Sequence, residues 1–229
     1  MINTLKTPVI ALDGHAGAGK STVAREVARA LGFWNVNSGL FYRAVTWKVL
    51  HLGIAPSDQD TIEALAREAD IQIYERDAEG NQGVVLDGQD ITEAVRTQEI
   101  NRYISGIASY PGVREAVNRL LRQVEHPRGI IMDGRDIGTV IFPDATLKIF
   151  LTASVEERAR RRVRELEAQG VTPNFQEVCD MIAARDRQDS ERDVAPLKQA
   201  DDAEYVDTTS LSSDAVLTKI LALWAAKTR

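Results

Sequence analysis

Residues 9–21 read Val9-Ile10-Ala11-Leu12-Asp13-Gly14-His15-Ala16-Gly17-Ala18-Gly19-Lys20-Ser21. A short apolar run gives way to a loop of small residues that fits G-x-x-x-x-G-K-[ST]. Ser21 to Leu31 follows with helical spacing at Val23, Val27 and Leu31, and Gly32 is a natural residue to end that helix. Strand, loop and helix in this order is the setting in which such a loop holds phosphate. Glycines let the backbone fold close around an anion, its amides act as donors, and the helix presents its positive end. Lys20 adds a full charge, and the Ser21 hydroxyl suits Mg²⁺. His15 reads as a loop residue over the phosphates and not as a catalyst, because phosphoryl transfer depends on positioning and charge more than on a strong base.

Outward from this loop the pattern continues to alternate. Phe33 to Val36 is a second short apolar piece, and Leu40 to Leu52 has helical spacing. The character then changes. Thr61 to Ala69 reads as a short helix, while Ile71 to Tyr74 and Val84 to Leu86 are β-prone runs separated by the turn-rich Asp77 to Gly83. Helices are expected near Thr97 to Ala108 and Val113 to Glu125, separated by Pro111-Gly112. The alternation resumes with strands at Ile130 to Met132 and Thr146 to Leu151 and a very basic helix from Val155 to Ala168. After a break at Gln169 to Pro173 come a helix from Phe175 to about Ser190, a strand near Glu204 to Val206 and a closing helix from Ser213 to Ala226. Strands alternating with helices predict an α/β fold with a mostly parallel sheet covered on both faces, and a small antiparallel patch inserted into it.

Composition limits the partners. The 229 residues, 44% hydrophobic and 27% charged, can bury a substantial core. A net charge of −6 argues against a general nucleic-acid binder, so positive charge used on phosphate must be local. The single cysteine, Cys179, has no internal partner and reads as a small residue on a helix face, which points to a reducing compartment. The stretch from Met1 to Pro8 lacks the apolar run of a signal peptide, and no run of about 18 apolar residues exists. A cytoplasmic protein that touches neither membrane nor nucleic acid is expected.

Arg158, Arg160, Arg161, Arg162 and Arg164 crowd one helix, with Arg158, Arg161 and Arg162 on one side and Arg160 and Arg164 on another. Glu156, Glu157, Glu165 and Glu167 could pair them as a solvated face. Beside a phosphate loop, arginines on a mobile segment could instead stabilise a transferring phosphoryl group. Arg185, Asp189 and Arg192 are spaced four and three apart, which permits either a surface ion pair or an inward wall for sugar and phosphate. Asp133 ends a buried strand, where a carboxylate can hold a Mg²⁺ hydration shell. Arg135 and Asp136 follow at the edge where ligands of open α/β sheets bind.

Several stretches together resemble the bacterial cytidylate kinases, a branch of the nucleoside monophosphate kinases. They are Ile10 to Gly14 with the phosphate loop, Ser38-Gly39-Leu40-Phe41-Tyr42-Arg43, Arg96-Thr97-Gln98-Glu99 and Pro111-Gly112-Val113-Arg114. The run Asp133-Gly134-Arg135-Asp136-Ile137-Gly138-Thr139-Val140-Ile141-Phe142-Pro143-Asp144-Ala145 and the segment from Arg185-Asp186 to Leu197 complete the set. The resemblance implies a P-loop NTPase-type five-stranded parallel sheet flanked by helices in one domain. Its core would comprise residues 1–40, 110–155 and 174–229, with a monophosphate-binding insertion at about 41–109 and a short helical lid at about 156–173.

It also implies Mg²⁺-dependent transfer of phosphoryl from ATP to CMP or dCMP by a monomer. Gly14, His15, Ala16, Gly17, Ala18, Gly19, Lys20, Ser21 and Thr22 would hold ATP, with Ser21 and Asp133 on the metal side. Ser38, Arg43 and Arg135 would contact the acceptor phosphate, and Ser105, Arg114 and Asp136 the cytosine. Arg185, Asp189 and Arg192 would hold sugar and phosphate, and Arg158, Arg161 and Arg162 would be lid arginines. Two departures stand out: Asn37 where the family usually has Asp, and His15-Ala16 where it has Pro-Ser. The loop alone also fits a P-loop kinase of another small molecule, or a nucleotide-binding switch, although a switch needs no second phosphate site.

Overall fold

All six residues of the first strand, β1 (Val9–Gly14), are buried, which requires covering layers on both sides of the sheet. In the computed structural model, residues 7–77, 79–168 and 170–228 are described. The leader reading from Met1 and the lid break at Gln169 therefore fall, at those positions, outside them. After β1 come α1 (Lys20–Leu31), β2 (Trp34–Asn37), α2 (Gly39–His51) and α3 (Gln59–Glu68). The inserted sheet follows as β3 (Ile71–Glu75), β4 (Gln82–Leu86) and the two-residue β5 (Gln89–Asp90). A 3₁₀ turn at Ala94–Arg96 leads into α4 (Gln98–Ile107) and α5 (Pro111–Arg122). The chain then forms β6 (Ile130–Gly134), a π-helical turn at Ile137–Ile141, β7 (Leu147–Thr152), α6 (Val155–Ala168), α7 (Phe175–Glu191), β8 (Glu204–Asp207) and α8 (Ser213–Lys227).

The main sheet has the order β2-β6-β1-β7-β8, and each pairing is parallel, with Val9 beside Ile130, Ile10 beside Leu147, Asn37 beside Asp133 and Ile149 beside Glu204. This is the expected five-stranded sheet. The period of two along a strand divides the core. Val9 and Ala11 face a cluster with Val45, Ile62, Ile104, Val113 and Leu121, from α2, α3, α4 and α5. Ile10 and Leu12 face Val23 and Val27 of α1 and Val216 and Ile220 of α8. The strand order reverses at β1, so its C-terminal end opens into the crevice where ligands of such sheets bind.

Two details differ from the sequence reading. Pro111 and Gly112 do not separate a pair of helices but begin α5, with Pro111 in its first turn. A proline is well placed there, since its missing N–H would have no partner in the helix. The helix stops at Arg122, whose guanidinium donates to the carbonyls of Val140 (2.8 Å) and Ile141 (3.3 Å) in the π-helical turn. That turn is the second difference; its sequence shows no helical period.

The edge strand β2 is covered by a side chain from the insertion. Gln82 of β4 is buried, its Nε2 donates to the Asn35 carbonyl, and its Oε1 accepts from the Asn37 N–H at 2.9 Å. The amide thus does the work of a neighbouring strand. Replacing it by Gln82→Leu leaves the buried Asn35 carbonyl and the half-buried Asn37 N–H unpaired, an expected loss of about 2 kcal/mol. Equilibrium urea unfolding measures this, and an unchanged midpoint would mean that the amide contributes nothing to the edge.

Candidate active site

The phosphate loop is shaped by three glycines with positive φ, Gly14 (148°), Gly17 (76°) and Gly19 (94°). At Gly14 the constraint is steric as well, because a Cβ would sit 1.9 Å from the Leu151 carbonyl oxygen on the paired strand. Arg158 Nη1 donates to the Ala16 carbonyl (3.1 Å) and Arg161 Nη1 to that of Ala18 (3.3 Å). In a trans peptide the carbonyl and the next N–H point in opposite directions. Holding these two carbonyls on the arginine side therefore turns the Gly17 and Gly19 N–H groups the other way, as an anion cradle requires.

Lys20, 6% exposed, opens α1 and donates to the carbonyls of Gly14 (2.8 Å) and His15 (2.7 Å). Burial holds its pKa well below the ordinary lysine value, and Arg135 adds to the effect while Asp133 opposes it. Thr22, one residue beyond Ser21 in the first turn of α1, is exposed. His15 packs edge-on against Phe150 (5.7 Å between ring centroids), with Nδ1 3.3 Å from Thr152 Oγ1. Burial pushes its pKa down, and Asp186 pulls it back.

On the metal side, Ser21 Oγ donates to Asp133 Oδ2 at 3.0 Å, while Asp133 Oδ1 is buried with no partner. Burial raises the Asp133 pKa, and Lys20 opposes the rise. A hydroxyl beside a carboxylate with an unspent oxygen fits Mg²⁺, which keeps several waters and takes few protein oxygens. Among the described residues no group of three or more His, Cys, Asp or Glu side chains could cage a metal by itself, so the small donor set suits an ion shared with phosphates.

A wall of arginines and carboxylates begins two residues beyond Asp133. Arg135 Nε donates to Asp189 Oδ2 at 2.8 Å. Asp189 thus faces inward to a distant arginine instead of forming a surface pair with Arg185. Asp136, 4% exposed, accepts from Arg114 Nη2 and lies 3.7 Å from Arg192 Nη2. Arg114, 2% exposed, also lies over the Tyr42 ring at 5.4 Å from its centroid. Arg43 donates to the Val95 carbonyl (2.8 Å) and Asn101 Oδ1 (2.6 Å), and burial, with Arg185 and Arg96 nearby, lowers its pKa to about 10. Burial also lowers the pKa of Arg185, with Arg135 next in effect. Arg114 Nε, Arg185 Nε and Arg192 Nη2 are buried without a hydrogen-bond partner, which in a native wall calls for a ligand or water.

Ser38 points its hydroxyl at the Asp133 carbonyl, 2.7 Å away, and so ties β2 to β6. Ser105 is half-buried on α4 and is not hydrogen-bonded to the Arg114–Asp136 pair. The arginine-rich helix turns Arg158 and Arg161 inward, but Arg162, expected on the same side, lies at the surface. Arg158 is buried, with a two-point bond to Asp186 (2.9 and 2.6 Å), and Arg161 reaches the Thr208 carbonyl at 2.8 Å. Arg162, with its side chain 41% exposed, pairs with Glu165 at 2.9 Å, and its charge is felt by Arg185. Arg160 pairs outward with Glu157.

Several site residues escape sequence reading. Asp186 and Thr208 hold Arg158 and Arg161. Asp13 accepts the N–H groups of Ile137 and Gly138, both at 2.8 Å, and so joins the end of β1 to the π-helical turn beside Asp136. Its partners lie more than 120 residues away, and no local pattern signals them.

Sheet order, phosphate loop and arginine wall define a P-loop phosphotransferase. The profile of the family described as "Cytidylate kinase" matches residues 10–226. A cytidylate kinase of Desulfitobacterium hafniense (strain Y51) is 48% identical over 215 residues, 94% of this chain and 91% of that protein. One from Bacillus licheniformis is 45% identical, covering 93% of this chain and 94% of its own length. The chain belongs to the cytidylate kinase family. An uncharacterized protein from Eubacterium ventriosum shares the fold, with a TM-score of 0.54 and 12% identity over 96% of this chain and 99% of that one.

Burial pushes the Asp13 carboxyl up to about 6, against the two amides that favour its ionised form. The folded protein then holds a proton that the unfolded chain has released above about pH 4. Its stabilising contribution is complete below that pH and is lost as pH rises through 6. From pH 4.5 to 7 the wild type should lose on the order of 2 kcal/mol relative to Asp13→Asn. Urea unfolding of both proteins across this range checks it, and a pH-independent difference would contradict it.

Proposed function

We propose that the protein transfers the γ-phosphoryl group of ATP to CMP or dCMP, giving ADP and CDP or dCDP. The observation that carries this reading is the run Asp133-Gly134-Arg135-Asp136. It joins the carboxylate that meets Ser21 of the phosphate loop to the two residues that anchor the acceptor wall.

Residues 14–22 take the ATP phosphates, and Lys20 leaves its loop carbonyls to meet them. Ser21 and Asp133 hold Mg²⁺, which neutralises phosphate charge and orients the transferring group when bound. Arg43, Arg135 and Arg185 with Ser38 receive the acceptor phosphate, and Asp189 and Arg192 the sugar. Arg158 and Arg161 keep the loop in its cradle shape, and Arg162 is the lid arginine free to turn toward the developing charge. Because the transition state is loose, placing and neutralising charge accounts for most of the acceleration.

Base choice follows from donors and acceptors. Cytosine offers an amino donor at N4 and an acceptor at N3, which match the Asp136 carboxylate and the Arg114 guanidinium, with Ser105 alongside. Uracil reverses both, leaving like groups face to face in a buried pocket. On this reading residues 41–109 and 156–173 close over acceptor and donor and exclude water. The enzyme acts as a monomer in the cytoplasm, consistent with its one buried, unpaired cysteine. Among the described residues no helix is long and apolar enough to cross a membrane.

Purified protein given ATP, Mg²⁺ and each of CMP, dCMP, UMP and AMP tests the proposal. CMP and dCMP should turn over, with kcat/KM for UMP lower by about 10²-fold or more. Lys20→Ala should lower kcat by about 10²–10³-fold. Comparable use of UMP would remove the base-reading pocket, and no turnover of any monophosphate would remove the activity.

A further inference from the structure

Asn37, the last residue of β2, pairs in register with Asp133, next to last in β6, and both side chains reach Ser21. Asn37 Oδ1 accepts the Gly39 N–H at 2.9 Å, and Asn37 Nδ2 donates to Ser21 Oγ at 3.3 Å. A backbone N–H can only donate, so the first bond fixes which end of the amide is oxygen and turns the nitrogen toward Ser21. The strand end is itself held, because the Asn37 N–H is bound by Gln82. Ser21 Oγ donates its one hydrogen bond to Asp133 Oδ2. A hydroxyl has one donor and two lone pairs; with one lone pair taken by Asn37, a single one is left for a cation.

We infer that Asn37 is a positioning residue for the metal side of the site, orienting the Ser21 hydroxyl and limiting to one the carboxylates that touch it. The inference rests on the reading of Ser21 and Asp133 as the Mg²⁺ side. It predicts opposite effects from two substitutions. Asn37→Asp can still accept the Gly39 N–H, so the start of α2 keeps its cap. It loses the donor to Ser21, however, and places a second carboxylate beside Asp133, which favours a divalent cation. Asn37→Ala adds no charge and releases the hydroxyl. General loosening of the strand end would weaken cation binding in both variants.

The test is direct binding of Mn²⁺, with free Mn²⁺ read by electron paramagnetic resonance, to wild type, both Asn37 variants and Asp133→Asn, each with ADP present. Circular dichroism melting confirms that each is folded. Asn37→Asp should bind Mn²⁺ about tenfold more tightly and reach half-maximal turnover at lower Mg²⁺. Asn37→Ala should bind about fivefold more weakly, with KM for CMP unchanged. If the Asp variant does not fold, the Ala variant decides: weaker Mn²⁺ binding with an unchanged melting midpoint supports the role, and unchanged binding, or a loss that comes with a lowered midpoint, overturns it. Both variants weakened alike, or neither changed, while Asp133→Asn binds poorly, overturns the role of Asn37 alone. Unchanged binding by Asp133→Asn overturns the metal assignment beneath it.

Discussion

Lys20, Arg43, Arg135 and Arg185 are buried or half-buried within reach of one another's charge, in a chain whose net charge is −6. Their mutual repulsion is the constraint to which the rest of the site answers. Burial costs Lys20, Arg43 and Arg185 hydration, and repulsion from neighbouring arginines adds to that cost, so the proton affinities of these three fall. Asp133 and Asp189 offset some of the field from inside the cluster, and Asp186 engages Arg158 beside it. What remains uncompensated is a local positive region at the C-terminal edge of the sheet, suited to phosphate groups that would be repelled by the protein as a whole.

The fold supplies the rigidity that this field needs. Strands β1 and β6 are central and buried on both faces. Their ends carry Asp13 and Asp133, and each holds a second piece of chain, the π-helical turn and the Ser21–Ser38 corner. The insertion is fastened to the same frame by Gln82, and α6 is fastened to the phosphate loop through Arg158 and Arg161. The phosphate loop and the arginine wall are thus built on one continuous network, so a shift of either strand end is felt by both.

How much of this was legible in the sequence depended on distance along the chain. The phosphate loop is local: its glycines, lysine and serine are adjacent, and the flanking strand and helix declare themselves by period. The split of the Arg158–Arg164 helix into an inner and an outer side is local too, except at Arg162. Arg185 and Asp189 were ambiguous, because i,i+4 spacing permits a pair that the structure replaces with Asp189–Arg135, 54 residues apart. Asp13 and Asp186 lay in stretches that stood out, but their roles, like that of Gln82, gave no signal, since each acts on a partner brought near only by folding. Pro111-Gly112 misled because a proline that opens a helix and one that lies between helices look alike until the helix is seen.

The central claim is that ATP and CMP bind at adjoining sites on one positive edge and exchange a phosphoryl group directly. A single molecule in which adenosine and cytidine are joined through a short oligophosphate tests this by isothermal titration. The account predicts one molecule bound per chain, far more tightly than either nucleotide, and displaced by ATP and by CMP alike. Displacement by only one of them, or affinity no better than the stronger half, would contradict it.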